Sequence, residues 1–305
     1  VAETLGETSP MEQLEEAINR HGAVVLGDLD PMLRNTLIRY CYERDKRLYV
    51  LPSVTDIMMN NAHEAQVMDT VAYLCKNRGL SHEHAMFKRG MDVVLSTIGL
   101  VVASPLLLLT SAAIWLYDRG PVFYVQDRLT KGGRVFQVIK FRSMVVDAER
   151  DGARLASEYD ERITPVGKVI RKLRIDELPQ LWNVLKGDMS MVGPRPERPE
   201  IAAEYEKAMP EFRYRLKMKA GLTGYAQVYG KYNTTPQDKL KMDLLYIEQS
   251  SFILDIKLLL MTVKVIFTRD STQGLQQGQR LPECTRTCTR PCRPLAGDQK
   301  IKRMG

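Results

Sequence analysis

Twenty-five consecutive residues, Val93–Tyr117, carry no charge and are bounded by Asp92 and Asp118. At about 1.5 Å per residue, a helix over this run is long enough to cross a hydrocarbon core ~30 Å thick. A single spanning helix is the simplest reading. Two features favour a helix that enters, bends and returns. Ser104-Pro105 sits near the middle, where a proline removes a backbone donor and crowds the preceding turn. Both flanks are basic, with Lys88 and Arg89 before and Arg119, Arg128, Lys131 and Arg134 after. The excess of Lys and Arg on cytoplasmic segments then places both ends on that one side. The run is too long, and too far from Val1, for a secretory signal.

The formal net charge of +7 divides unevenly: residues 1–87 carry −5 and residues 88–305 carry +12. An anionic partner is therefore expected for the second part. No nucleic-acid motif or interleaved aromatic–basic stripe occurs, so nucleic acid is not expected as that partner. The 44% hydrophobic and 27% charged content excludes global disorder. Five cysteines in 305 residues exclude a disulfide-built scaffold.

Ahead of the apolar run, residues 11–87 read as a small α/β piece. Helical patterns at 11–20 and 31–44 alternate with apolar strands at 23–26 and 48–51, as in part of a parallel sheet. After the run, 121–129 and 134–144 form a hairpin pattern around Thr130-Lys131-Gly132-Gly133. Helices are expected at 145–159, 164–173, 178–186, 201–219 and 236–269. Within the last, residues 252–267 carry only Asp255, Lys257 and Lys264 among apolar residues, a packed or interfacial helix rather than a span. From Ser271 the composition shifts to Gln, Arg, Thr, Pro and Gly, and disorder is expected. Cys284, Cys288 and Cys292 recur there every four residues, but three prolines oppose the helix that would align them.

The densest motif is Asp176-Glu177-Leu178-Pro179-Gln180, preceded by Lys168, Arg171, Lys172 and Arg174. Asp176 suits a helix N-cap, with Gly187 as the stop. A dipole-matched helix start accounts for the acidic pair without any chemistry. The surrounding cations add a second reading. They would keep a nucleophilic aspartate ionised and would hold a polyanion such as a pyrophosphate. Two adjacent carboxylates can divide tasks, one attacking and one holding a divalent cation. Arg195, set between Pro194 and Pro196, suits a fixed phosphate clamp, or a rigid surface turn. Lys140 and Arg142 at the hairpin end offer further cations.

Lys88-Arg89 with Asp92, Lys140-Phe141-Arg142-Ser143-Met144, Asp176 to Gln180, Gly193-Pro194-Arg195-Pro196, Gly221-Leu222-Thr223-Gly224, and Asp243 with Tyr246 occur in this order. Residues 86–270 thereby resemble the bacterial sugar transferase family, the monotopic polyprenyl-phosphate phosphoglycosyl transferases. The resemblance implies an enzyme of the bacterial inner membrane with its active site on the cytoplasmic face. Such an enzyme moves a sugar 1-phosphate from a UDP-sugar to undecaprenyl phosphate and releases UMP, an initiating reaction of exopolysaccharide, capsule or O-antigen assembly. It implies Asp176 as nucleophile and Glu177, with Asp176, as Mg²⁺ ligands. It further implies Arg195, Arg142, Lys140, Arg171, Arg174, Lys88 and Arg89 as substrate-binding cations, and Ser104-Pro105 as the break in a re-entrant helix.

The expected fold class is α+β. A largely helical catalytic domain over 86–270, with a β-hairpin and a re-entrant membrane helix at 92–118, follows a partial Rossmann-like piece over 1–85. Residues 271–305 are expected to form a disordered tail. Longer members of the family also carry transmembrane helices ahead of the Rossmann-like piece. A homo-oligomer is compatible with this reading. So is an inactive membrane-anchored regulatory or binding protein of polysaccharide assembly, although the intact Asp176-Glu177 pair argues against it.

Overall fold

The computed structural model describes residues 10–27, 29–75, 82–146, 148, 160–230 and 234–266. These form a mixed helical and strand fold. They fall into two compact units, divided between Leu51 and Pro52.

In the first unit, helix α1 (Pro10–Arg20) leads to strand β1 (Ala23–Leu26), helix α2 (Pro31–Glu43) and strand β2 (Arg47–Val50). The strands pair in parallel, Ala23 opposite Arg47 and Leu26 opposite Val50. Asp30 caps α2 by accepting from the Met32 N–H, and Pro31 supplies the fixed φ of a first helical position. Ile18, Leu26, Leu37 and Cys41 form the core.

The second unit starts well before residue 86. Helix α3 (Val54–Met59) opens with a reciprocal capping box between Ser53 and Asp56. Its Ile57 packs with Ala202, Phe212, Leu240 and Leu244, which makes this segment part of the second core. A hairpin, β3 (His63–Val67) with β4 (Thr70–Leu74), follows. The sequence gives this hairpin little signal, because its strands alternate polar and apolar residues only weakly.

Helix α4 (His82–Asp118) contains the whole uncharged run. Only 11% of its most apolar 18-residue stretch is buried, and Val94, Ile98, Val101, Val102, Leu108 and Leu109 are exposed. Pro105 cannot donate to the Val101 carbonyl four residues back. The Ser104 hydroxyl donates to that carbonyl instead, at 2.8 Å. Both ends of α4 are tied to the second unit. At the first end, the Asp92 carboxylate accepts from the Ser190 hydroxyl at 3.0 Å and the Met191 N–H at 2.8 Å. At the second, Asp118 pairs with Arg142, while Ile114 packs with Phe141 and Ile170.

Strands β5 (Phe123–Leu129) and β6 (Val135–Phe141) form the expected hairpin. Gly132 and Gly133 adopt φ of 72° and 76° in its turn, a region that favours glycine. Helix α5 (Pro165–Lys172) is capped by Thr164, whose hydroxyl accepts from the Gly167 N–H at 2.9 Å. Helix α6 (Gln180–Lys186) stops at Gly187, φ 99°. Strand β7 (Ser190–Val192) pairs in parallel with β8 (Gly221–Thr223).

The expected helix over 201–219 is two elements. Helix α7 (Pro199–Ala208) ends at Met209, and a 3₁₀ segment runs over Pro210–Lys217, because Pro210 cannot continue the α-helical ladder. The helix over 236–269 likewise divides. After the short α8 (Tyr225–Tyr229), α9 (Pro236–Gln249) ends at a non-helical Ser250 (ψ 124°) and α10 (Phe252–Ile266) begins anew. Helix α10 buries Asp255 and Leu258 and exposes Phe252, Ile253, Ile256, Leu260 and Val263. Most of 145–159, and the whole tail with Cys284, Cys288 and Cys292, lie outside the described residues.

Candidate active site

Asp176 is not a helix cap. It lies in a 3₁₀ turn (Ile175–Glu177) that runs into α6, preceded by Arg174 in the left-handed region at φ 57°, ψ 19°. A non-glycine residue held there costs about 1–3 kcal/mol and has to be imposed by its surroundings. The imposition comes from α5 before it and α6 after it. Helix α6 is fixed to the hairpin by Asn183, whose Oδ1 accepts from the Ile139 N–H at 3.0 Å. Its Nδ2 donates to the Gln137 carbonyl at 2.7 Å. The acidic pair is thereby set against the end of β6, where Lys140 is found.

Glu177 accepts from Arg195 Nη2 at 2.7 Å, and Arg174 stands 3.9 Å away. Burial pushes the Glu177 carboxyl up, but the Arg195 charge and hydrogen bond, with Lys140 and Arg174, outweigh it and hold the group at about 2. Burial and the adjacent Glu177 charge push Asp176 upward, against the pull of Lys140, Arg171 and Arg174. Lys140 is pushed down to about 8, chiefly by burial, with Glu177 opposing. Four cations thus face two carboxylates, an excess that suits a polyanion.

Arg195 is held from behind. Arg215 Nη2 donates to the Arg195 carbonyl at 2.8 Å and Arg128 Nη1 to the Pro196 carbonyl at 3.0 Å. Arg215 also pairs with buried Asp243 at 2.7 Å, and Glu197 lies 3.7 Å from Arg215 and 3.9 Å from Arg128. Sequence reasoning missed Arg128 and Arg215 as supports, because both act on backbone carbonyls.

Asp176, Glu177, Lys140, Arg171, Arg174 and Arg195 therefore come together. The other expected cations are engaged elsewhere. Arg142 pairs with Asp118. Lys88 is buried against Asp255 at 2.6 Å and Tyr246 at 3.0 Å. Arg89 donates to the Val184 and Leu185 carbonyls, both at 2.7 Å, at the end of α6. Ser104 and Pro105 lie within the exposed apolar part of α4.

For Mg²⁺, no group of three or more His, Cys, Asp or Glu side chains is found among the described residues. Asp176 Oδ1 is buried without a hydrogen-bond partner among them. Two carboxylates, one with an orphaned oxygen, fit a cation that keeps several waters and takes its other ligands from phosphates.

A family model described as bacterial sugar transferase matches residues 83–269. The N-acetylgalactosaminephosphotransferase acting between UDP-N-acetylgalactosamine and undecaprenyl phosphate in Aeromonas hydrophila is 44% identical over 188 residues, 61% of this chain and 44% of its own length. The undecaprenyl-phosphate glucose phosphotransferase of Komagataeibacter xylinus is 40% identical over 237 residues, 73% of this chain and again 44% of its own length. The UDP-glucose:undecaprenyl-phosphate glucose-1-phosphate transferase of Caulobacter vibrioides is 39% identical, with 60% of this chain and 71% of the relative aligned. The chain thus spans less than half the length of the first two. The matched region contains all of α4 but its first residue, the β5–β6 hairpin, the acidic pair and the Arg195 loop, and the chain belongs to the bacterial sugar transferase family.

Proposed function

We propose that the chain transfers a sugar 1-phosphate from a UDP-sugar to undecaprenyl phosphate, giving undecaprenyl-diphosphate-sugar and UMP, as the first step of a surface polysaccharide. The observation that carries this is the Asp176–Glu177 pair ringed by Lys140, Arg171, Arg174 and Arg195, in a unit that also holds the apolar helix α4.

A carboxylate oxygen of Asp176 attacks the phosphorus that bears the sugar. The new O–P bond forms as the P–O bond to UMP breaks, and UMP carries away the electron pair. The phosphate oxygen of undecaprenyl phosphate then attacks the same phosphorus and returns Asp176 as a carboxylate. Phosphoryl transfer needs mainly positioning and charge neutralisation. Arg195, fixed through its carbonyl and through Glu177, and half-buried Lys140 provide both for the diphosphate. Bound Mg²⁺, held by Asp176 and Glu177, would neutralise diphosphate charge.

We read α4 as re-entrant at the inner membrane, with the site on the cytoplasmic face. Both of its ends bind one compact unit, through Asp92 and through Asp118, and a spanning helix would separate them by the bilayer. The exposed apolar stripe of α10 suits the same interface. The parallel β1–α2–β2 unit is consistent with a partial Rossmann-like domain.

Asp176→Asn should abolish UMP release from UDP-sugars in the presence of undecaprenyl phosphate, and retained turnover would remove the nucleophile assignment. EDTA should silence the enzyme and Mg²⁺ restore it. Cysteines placed near residues 90 and 120 should react from the same side of the membrane.

A further inference from the structure

Among the described residues, two buried polar atoms four positions apart in the chain lack hydrogen-bond partners. Asp176 Oδ1 and Gln180 Nε2 each have no hydrogen bond among the described residues, and Gln180 is only 4% exposed. A buried donor left unpaired costs about 1–3 kcal/mol, so a fold retains one where something else claims it. The two groups are complementary, an acceptor and a donor, yet they are not bonded to one another.

Their placement is set by the backbone. Leu178 N donates to Ile175 O, Leu181 N to Leu178 O and Trp182 N to Pro179 O, at 3.0–3.1 Å. This 3₁₀-like winding stacks residues three apart, and Gln180 follows Glu177 by three residues in the same winding. Asn183, one turn further on, brackets Gln137 and Ile139 of β6. Gln180 is the first residue of α6, and the 3₁₀ turn just before it packs against β6. There Lys140 feels the charges of Glu177 and Asp176.

We propose that Gln180 is a further catalytic residue: its Nε2–H donates to a non-bridging oxygen of the phosphoryl group that Asp176 attacks. That oxygen gains negative charge as the O–P bond forms. A fixed donor at that point stabilises the transition state more than the ground state. The amide proton is shared throughout and never transferred, so the balance of bonds given above is unchanged. This inference rests on the proposed phosphosugar transfer.

The test uses the full chain in lipid nanodiscs with undecaprenyl phosphate and a panel of UDP-sugars. Gln180→Met keeps the length of the side chain and removes the donor. UMP release should fall about 10²-fold in kcat, with KM for the UDP-sugar changed by less than about three-fold. The melting temperature should not fall, since the variant loses an unpaired buried group. Gln180→Glu, nearly isosteric but an acceptor when ionised, should lose at least as much. It is the variant to read if Gln180→Met does not fold. Wild-type kcat in either folded variant overturns the role of Gln180. If the unaltered chain is active and Asp176→Asn silent in the same assay, the transfer reading survives that result. If the unaltered chain releases no UMP from any UDP-sugar, the transfer reading falls and the role of Gln180 falls with it.

Discussion

Arg195 Nη2 stands 2.7 Å from Glu177 Oε1, joining two motifs eighteen residues apart. The Arg195 charge is the largest influence holding the Glu177 carboxyl down against burial, which pushes it up. Arg195→Gln removes the largest cause that lowers the carboxyl. The Glu177 pKa then rises from about 2, and less of it is ionised at mildly acid pH. The acid limb of kcat/KM for UMP release should shift to higher pH, alongside a loss in rate. An acid limb at the wild-type position would show that the pair does not govern ionisation in the working enzyme.

Lys140 sets the opposite limb. Burial holds its ammonium at about 8 despite the attraction of Glu177. As pH rises through that value the amine loses its charge, and with it the attraction for a diphosphate. Turnover should therefore decline above about pH 8. Lys140→Arg stays charged and should move the decline to higher pH, whatever it does to the rate at neutrality. A decline at the same pH in both proteins would assign the limb to another group.

The parts of this fold legible in the sequence are those written locally. Asp30-Pro31, Thr164-Pro165 and Gly187 mark helix ends, and Gly132-Gly133 marks the hairpin turn. The uncharged run and the Asp176–Glu177 pair are likewise visible as strings. What stayed hidden depends on contacts distant in sequence. Arg174 enters the left-handed region because flanking elements force it, not because its side chain prefers it. The three-residue strands β7 and β8 exist only by pairing with each other. The pairing of Arg142 with Asp118, twenty-four residues earlier, is likewise visible only in the fold.

Lys88 and Asp255 form a buried ion pair at 2.6 Å, with side chains 7% and 1% exposed. The Tyr246 hydroxyl donates to the same carboxylate at 2.6 Å. The pair ties the start of α4 to α10. Lys88→Met leaves Asp255 buried and uncompensated, which should cost about 3–5 kcal/mol. Thermal melts of the protein in nanodiscs would show it. Lys88→Met with Asp255→Leu removes both charges and should recover most of the loss, because the desolvation cost disappears with them. A double variant as unstable as the single one would mean that packing, rather than charge, dominates there.

Ser104 and Pro105 make the remaining case, since the proline creates a deficit that the serine covers. The Val101 carbonyl has no N–H from residue 105 and accepts from the Ser104 hydroxyl at 2.8 Å. In the membrane placement proposed for α4 water is scarce around Ser104, so an unsatisfied carbonyl is expensive. Ser104→Ala should lower stability by about 1–3 kcal/mol. Sidedness at residues 90 and 120 should be unchanged, because the Asp92 and Asp118 contacts still hold both arms. Adding Pro105→Ala to Ser104→Ala returns a backbone N–H four residues after Val101. The double variant should regain most of the lost stability, although its helix no longer carries a proline. Melting curves in nanodiscs separate the outcomes: a Ser104→Ala protein as stable as the unaltered chain would show that the hydroxyl replaces nothing.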